Sequence, residues 1–144
     1  PIAKETFTAI RGQGAKLNGA PIHCSLLDSL DKGTLGVGHS TRVPPGQTIR
    51  LVEALLQANG LFRRSGSGAL DLAYVAAGRL LGYVEPHMNA WDCLASMLLI
   101  EEAGGTVEPF DMPTMLTTGG RAIVAGPNIY SQVQQMAVSA YQQS

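Results

Sequence analysis

The run at residues 69–80, ALDLAYVAAGRL, constrains the fold more than any other stretch of the chain. Read as a helix, it is apolar almost all round, through Leu70, Leu72, Ala73, Val75, Ala76, Ala77 and Leu80. A helix without a polar face is buried on more than one side, so it needs partner layers on both flanks. The flanking sequence supplies them, because strand-like and helix-like segments alternate from Thr34 onward. Strands are expected at 34–39, 61–64, 82–85, 106–110 and 121–125, with a Pro/Thr/Gly-rich loop between the last two. Helices are expected at 47–58, 69–80, 90–103 and 128–143. This alternation predicts an α/β fold, with a mostly parallel or mixed sheet and helices on both faces. Residues 6–25 read instead as a short β meander. Its turns fall at Gly12-Gln13-Gly14 and at Asn18-Gly19, and the second is a strong hairpin signal. We divide the chain into a meander at 1–30 and an α/β domain at 31–144.

A chain of 144 residues can bury a single sizeable core. The net charge of −1 gives no electrostatic footprint for nucleic acid or for an anionic membrane surface. No apolar run has the length of a membrane span. Cys24 and Cys93 stand far apart without metal-type spacing, so a reducing cytoplasm is the expected location. The chain begins at Pro1, which reads as the cut end of something longer.

The polar linker 85–92, EPHMNAWD, holds two acids and the sole tryptophan. Asn89 is a good helix N-cap, which places Asp92 in the first turn. An acid there either favours the helix N-terminus through the macrodipole or acts as a rigid carboxylate ligand for a hard cation such as Mg²⁺. Trp91 is expected to wedge the helix start into the core, in one apolar stripe with Leu94, Ala95, Leu98 and Leu99. Glu85 is expected at the carboxyl end of a short strand, the edge where open α/β sheets bind ligands. Gly66-Ser67-Gly68 lies between a strand and a helix. It is either a plain turn capped by Ser67 or a cradle for hydroxyl or phosphate oxygens. It begins like a dinucleotide fingerprint, but Asp71 stands in the place of the third glycine. His23, His39 and His87 show no metal-ligand pattern and read as surface or turn residues. Glu101 and Glu102 oppose the dipole at a helix C-terminus and read as solvated.

Three stretches together resemble one family. GQGAKLNGAPIHCS, RSGSGALDLAYVAAGRLLGYVEP and NAWDCLASMLLIEEAGGTV are similar to the second half of the inositol monophosphatase family. These are Mg²⁺-dependent, lithium-sensitive sugar phosphatases, a superfamily that includes fructose-1,6-bisphosphatase. The pattern from Trp91 to Gly105, W-D-x-x-A followed by E-A-G-G, is specific, and the resemblance covers nearly the whole chain.

The resemblance implies roles. Asp92 would ligate catalytic Mg²⁺ beside the scissile phosphate. Glu85 would bind the polyol, and Gly66, Ser67 and Gly68 would contact substrate hydroxyls. The family's D-P-[IL]-D-G-T signature is absent, since neither Asp-Pro nor Asp-Gly occurs anywhere in the chain. In the family that signature belongs to the first half and carries most of the metal ligands. The expectation is therefore the C-terminal domain of a Mg²⁺-dependent phosphomonoesterase acting on inositol or sugar monophosphates, inactive as this chain alone. Its partners would be a phosphorylated polyol or sugar and either the missing first half or a second copy, as a homodimer. Without the first-half sheet, residues 6–10 are expected to present unpaired backbone groups with Phe7 and Ile10 exposed. The alternatives are a nucleotide 3′-phosphatase or fructose bisphosphatase relative, a non-catalytic assembly module that keeps the fold, or a dinucleotide-binding domain.

Overall fold

The computed structural model describes residues 2–142. A three-stranded antiparallel sheet comes first, from β1 (Phe7–Ala9), β2 (Ala15–Leu17) and β3 (Ala20–Pro21). The turn between β2 and β3 is Asn18-Gly19, with φ of 50° and 84°. Two successive positive φ values match the right-handed twist of a two-residue hairpin, and Asn-Gly tolerates them best.

A five-stranded mixed sheet follows. Its strands are β4 (Thr34–Val37), β5 (Leu61–Arg63), β6 (Gly82–Met88), β7 (Thr106–Val107) and β8 (Gly120–Ala125), in the order β5-β4-β6-β8-β7. The β5, β4 and β6 strands are parallel, and β8 and β7 add antiparallel. Its helices are α1 (Pro45–Gln57), α2 (Gly68–Ala76), α3 (Ala90–Glu102), α4 (Met112–Thr117) and α5 (Tyr130–Gln142). Gln143, assigned above to the terminal helix, lies outside the described residues.

The period of two along the strands feeds two cores. On β6 and β8, Tyr83, Ala122 and Val124 pack with α2 and α3. Val84, Ile123 and Ala125 face the other way and pack with α1 and α5. The sheet is therefore the middle of three layers. In α2, Leu72, Val75 and Ala76 are fully buried, as an all-round apolar helix requires. It stops at Ala76, four residues early, because Gly78 turns at a φ of 71°. Leu81 then enters the sheet, its N–H reaching the Thr34 carbonyl at 2.9 Å.

Four expectations are corrected. Trp91 is 78% exposed. The core face of α3 is Cys93, Met97 and Ile100, with Ala90 and Ala103 at its ends, and Leu99 and half-buried Leu94 of the expected stripe join it, so only Trp91 and Ala95 of that stripe are exposed. Residues 111–118 are not all loop. They form α4, whose N-cap Asp111 accepts from the Thr114 N–H at 2.9 Å and the Thr114 hydroxyl at 2.7 Å. The β1 strand is unpaired on its outer edge only, because its inner edge pairs with β2 in the register Phe7↔Leu17 to Ala9↔Ala15. Phe7 is half-buried, its ring 6.4 Å from that of Tyr74, and only Ile10 of the expected pair is exposed. Finally, Glu102 is not simply solvated. Its carboxylate accepts the N–H groups of Gly12 and Gly14 at 2.8 Å each. These bonds clamp the first turn of the meander to the end of α3.

Candidate functional site

The parallel strands β4 and β6 end their pairing at Val37↔Val84, and Glu85 is the next residue. The strand does not stop there. It continues to Met88 through a register shift against β8 between Glu85 and Met88. Pro86 has no N–H to give a ladder, and a bulge is where a strand tolerates it. The bulge carries the chain straight into the start of α3, so Glu85 and Asp92 come to one place.

That place is an open cleft of about 510 Å³ at the carboxyl edge of the parallel strands. Glu85 and Asp92 line it together with the whole Gly66-Ser67-Gly68 turn. All five residues singled out from the sequence therefore share one cavity. The cleft also holds His39, Arg42, His87 and Asn89, which sequence reasoning did not assign to it.

Glu85 is half-buried and accepts a hydrogen bond from the Tyr83 hydroxyl at 2.6 Å. Burial raises its pKa above the ordinary glutamate range, and the Asp92 charge adds to this. The Tyr83 hydrogen bond and the nearby Arg64 and His39 side chains oppose it. The phenol of Tyr83 is itself pushed up by burial and by the Glu85 carboxylate. Two glycines make room for this pair. A Cβ on Gly38 would fall inside contact distance of both groups. One on Gly68 would stand 2.9 Å from the Tyr83 hydroxyl and 3.3 Å from Glu85 Oε2. At these positions glycine is needed for space.

Asp92 is exposed at the first turn of α3. Its carboxylate does not reach back to the cap backbone as a capping box would. Its Oδ2 accepts from the Asn89 side-chain amide at 3.3 Å. The Asn89 Oδ1 accepts from Arg42 Nη1, which also lies 3.5 Å from His87 Nδ1. His87 Nε2 is 2.9 Å from the Thr118 carbonyl, and His39 Nδ1 is 3.0 Å from the Thr48 hydroxyl. Asp92 Oδ1 accepts no hydrogen bond among the described residues, and the side chain is one of those that line the cleft.

The donor set fits one corner of a divalent-cation site. Among the described residues no group of three or more His, Cys, Asp or Glu side chains could hold a metal ion, so Asp92 offers one ligand of several. A thiolate nucleophile is not available. Cys24 and Cys93 are buried, and burial pushes both thiols up to about 11.

The model of the inositol monophosphatase family matches residues 1–144, the whole chain. The chain belongs to the inositol monophosphatase family. Among curated relatives, it is 38% identical over 136 residues to the Nus factor SuhB of Haemophilus influenzae, covering 92% of this chain and 51% of that protein. It is 40% identical over 131 residues to the Nus factor SuhB of Escherichia coli strain K12, covering 90% of this chain and 49% of that protein. Among solved structures, it superposes on an inositol monophosphatase from Anabaena (Nostoc) with a TM-score of 0.82 at 33% identity, over 96% of this chain and 56% of that one. SuhB of Mycobacterium tuberculosis gives a TM-score of 0.82 at 31% identity, over 97% and 56%. The chain thus spans about half the length of the relatives it matches. No helix among the described residues is long and apolar enough to cross a membrane.

Proposed function

We propose that this inositol monophosphatase family chain forms one wall of a Mg²⁺-dependent phosphomonoesterase site for inositol or sugar monophosphates. The observation that carries the reading is the convergence of Glu85, Asp92 and the Gly66-Ser67-Gly68 turn on one cleft. In this reading the turn and Glu85 hold the hydroxyls of the polyol. The Glu85 carboxylate accepts from a hydroxyl, as it already does from Tyr83. Asp92, fixed by the Asn89 amide, offers its free oxygen to Mg²⁺ next to the phosphate. Mg²⁺ held there would supply a nucleophilic water and charge neutralisation at the phosphoryl oxygens. Two-metal hydrolysis needs oxygen ligands around ions about 3.5–4 Å apart, more than Asp92 can give. We therefore assign the remaining ligands to a segment outside this chain and expect the chain alone to be inactive, acting in the cytoplasm.

The test is phosphate release from inositol 1-phosphate at millimolar Mg²⁺ by a chimera. It would carry the amino-terminal half of the Anabaena inositol monophosphatase ahead of Pro1. Release that is lost in Asp92→Asn is expected. A folded chimera without release would refute the reading.

A second reading is a non-catalytic assembly module, and one observation favours it. The outer face of α3 presents Trp91 at 78% exposure, more tryptophan surface than a finished monomer face usually leaves bare. The name Nus factor borne by several relatives sits more easily with this reading than with catalysis alone. The chimera assay separates the two.

A further inference from the structure

Asp71 is 1% exposed, lies in the first turn of α2, and has no part in the chemistry proposed above. Its Oδ2 accepts from the Ser65 hydroxyl at 2.6 Å. The Ser65 oxygen in turn accepts the Ser67 N–H at 3.1 Å. The Asp71 N–H returns to the Ser67 carbonyl at 3.0 Å. The turn is therefore pinned from inside, through a serine whose hydrogen goes to the acid and whose lone pair goes to the turn. Asp71 Oδ1 accepts no hydrogen bond among the described residues and is paired instead in a salt bridge with the half-exposed Arg63, Nε to Oδ1 3.5 Å.

The second consequence is electrostatic. The first N–H groups of a helix have no partner within it, and the Ser67 side chain makes no cap bond to them. Such an end carries roughly half a positive charge and ordinarily favours anions. Here Asp71 sets a carboxylate inside that same turn. Glu85 faces it across a small polar chamber of about 80 Å³, which both acids line with Gly66, Ser67 and Gly68. Arg64 lines the chamber too and offsets part of this charge. Arg63 is drawn over the Tyr74 ring, 5.5 Å from its centroid, and its side chain is 44% exposed. Solvent screens exposed guanidinium groups more than it screens a buried carboxylate.

A phosphate oxygen can only accept, and it would sit beside the Glu85 carboxylate with the Asp71 charge buried behind the turn. A hydroxyl can accept from the free N–H groups and donate to a carboxylate. We propose that Asp71 is a positioning and selectivity residue: it fixes the Gly66-Ser67-Gly68 turn and makes that turn take neutral hydroxyls and reject anions. The inference rests on the polyol-binding reading of this turn, and it confines the phosphate of the substrate to the Asp92 end of the cleft.

The experiment is amide NMR of the ¹⁵N-labelled chain without Mg²⁺, titrated separately with myo-inositol and with inorganic phosphate. The amides of Gly66, Gly68 and Ala69 are read in the wild type, Asp71→Asn and Ser65→Ala. In the wild type we expect inositol to move these amides and phosphate to leave them still. In Asp71→Asn, a near-isosteric change that keeps an oxygen for Ser65, we expect phosphate to bind there about tenfold more tightly or better, as loss of a nearby charge implies. Ser65→Ala keeps the charge and should stay silent to phosphate. Phosphate shifts in the wild type or in Ser65→Ala, or none in Asp71→Asn, would overturn the inference. Where Asp71→Asn does not fold, Asp71→Ser, which keeps an oxygen for Ser65 without the charge, takes its place with the same expected gain of phosphate shifts. A wild type that ignores both ligands while Asp71→Asn gains phosphate would keep Asp71 as the anion barrier and sink the polyol assignment.

Discussion

Glu85 shows how one residue's surroundings set its chemistry. Burial raises its pKa, so the folded state holds its proton more tightly than the unfolded chain does. Between the unfolded and folded pKa values the native state binds more protons, so stability falls as pH rises through that window. The contribution is fully present below the ordinary glutamate value and is lost above the raised one. Glu85→Gln removes the titration and keeps an acceptor for Tyr83. We expect its melting temperature to exceed that of the wild type at neutral pH and the difference to shrink as the pH drops below the ordinary glutamate range. Paired thermal melts from pH 4 to pH 8 would show this, and a constant offset across the range would contradict it.

At the scale of elements, the meander and α3 are joined by Glu102. Two backbone N–H groups, from Gly12 and Gly14, hold its carboxylate below the usual range. That bond set is present above the unfolded glutamate value and is lost as pH falls through the depressed folded one. Glu102→Ala should speed hydrogen exchange at Gly12 and Gly14 while leaving β4, β6 and β8 protected. Unchanged exchange at those two glycines would show that the clamp contributes nothing. The same segment marks the limit of what sequence can tell. An acid at a helix C-terminus looks unfavourable until the turn that fills its lone pairs is brought up from 88 or more residues away. The order of strands and helices was legible, because the periods of 2 and 3.6 are local properties. Glu85, Asp92 and the glycine turn were legible as candidates through the family resemblance and their expected places at a strand end or a helix start, and one cleft is lined by all of them. Arg42, His39 and His87 were not, since each enters the cleft from a loop or bulge whose path depends on tertiary contacts. The outward direction of Trp91 was also hidden. Apolar residues lie on more than one side of α3, and sequence alone does not say which of them join the core. The α4 helix carried its own signal in Asp111 and Pro113, a capping acid followed by a first-turn proline, and a proline-rich composition masked it.

For the whole molecule, the open surfaces bear on assembly. The outer edge of β1, exposed Ile10 and the Trp91 face of α3 are unpartnered among the described residues. The edge strand β5 is exposed along its length, with Leu61 60% and Phe62 43% open. Open edges and apolar patches of this kind recruit another strand or surface. We expect light scattering to find a dimer or larger species, with Trp91→Ala shifting it towards monomer. A clean monomer at high concentration would contradict this. The association is separate from chemistry, because a second copy brings the same single free carboxylate oxygen at Asp92 and not the missing acids. The central claim is that this chain supplies the polyol wall and one metal ligand of a phosphatase site, and no more. The most direct measurement is phosphate release from inositol 1-phosphate by the chain alone at millimolar Mg²⁺. No release is expected. Turnover in the ordinary enzyme range of roughly 1–10³ s⁻¹, abolished in Asp92→Asn, would contradict it.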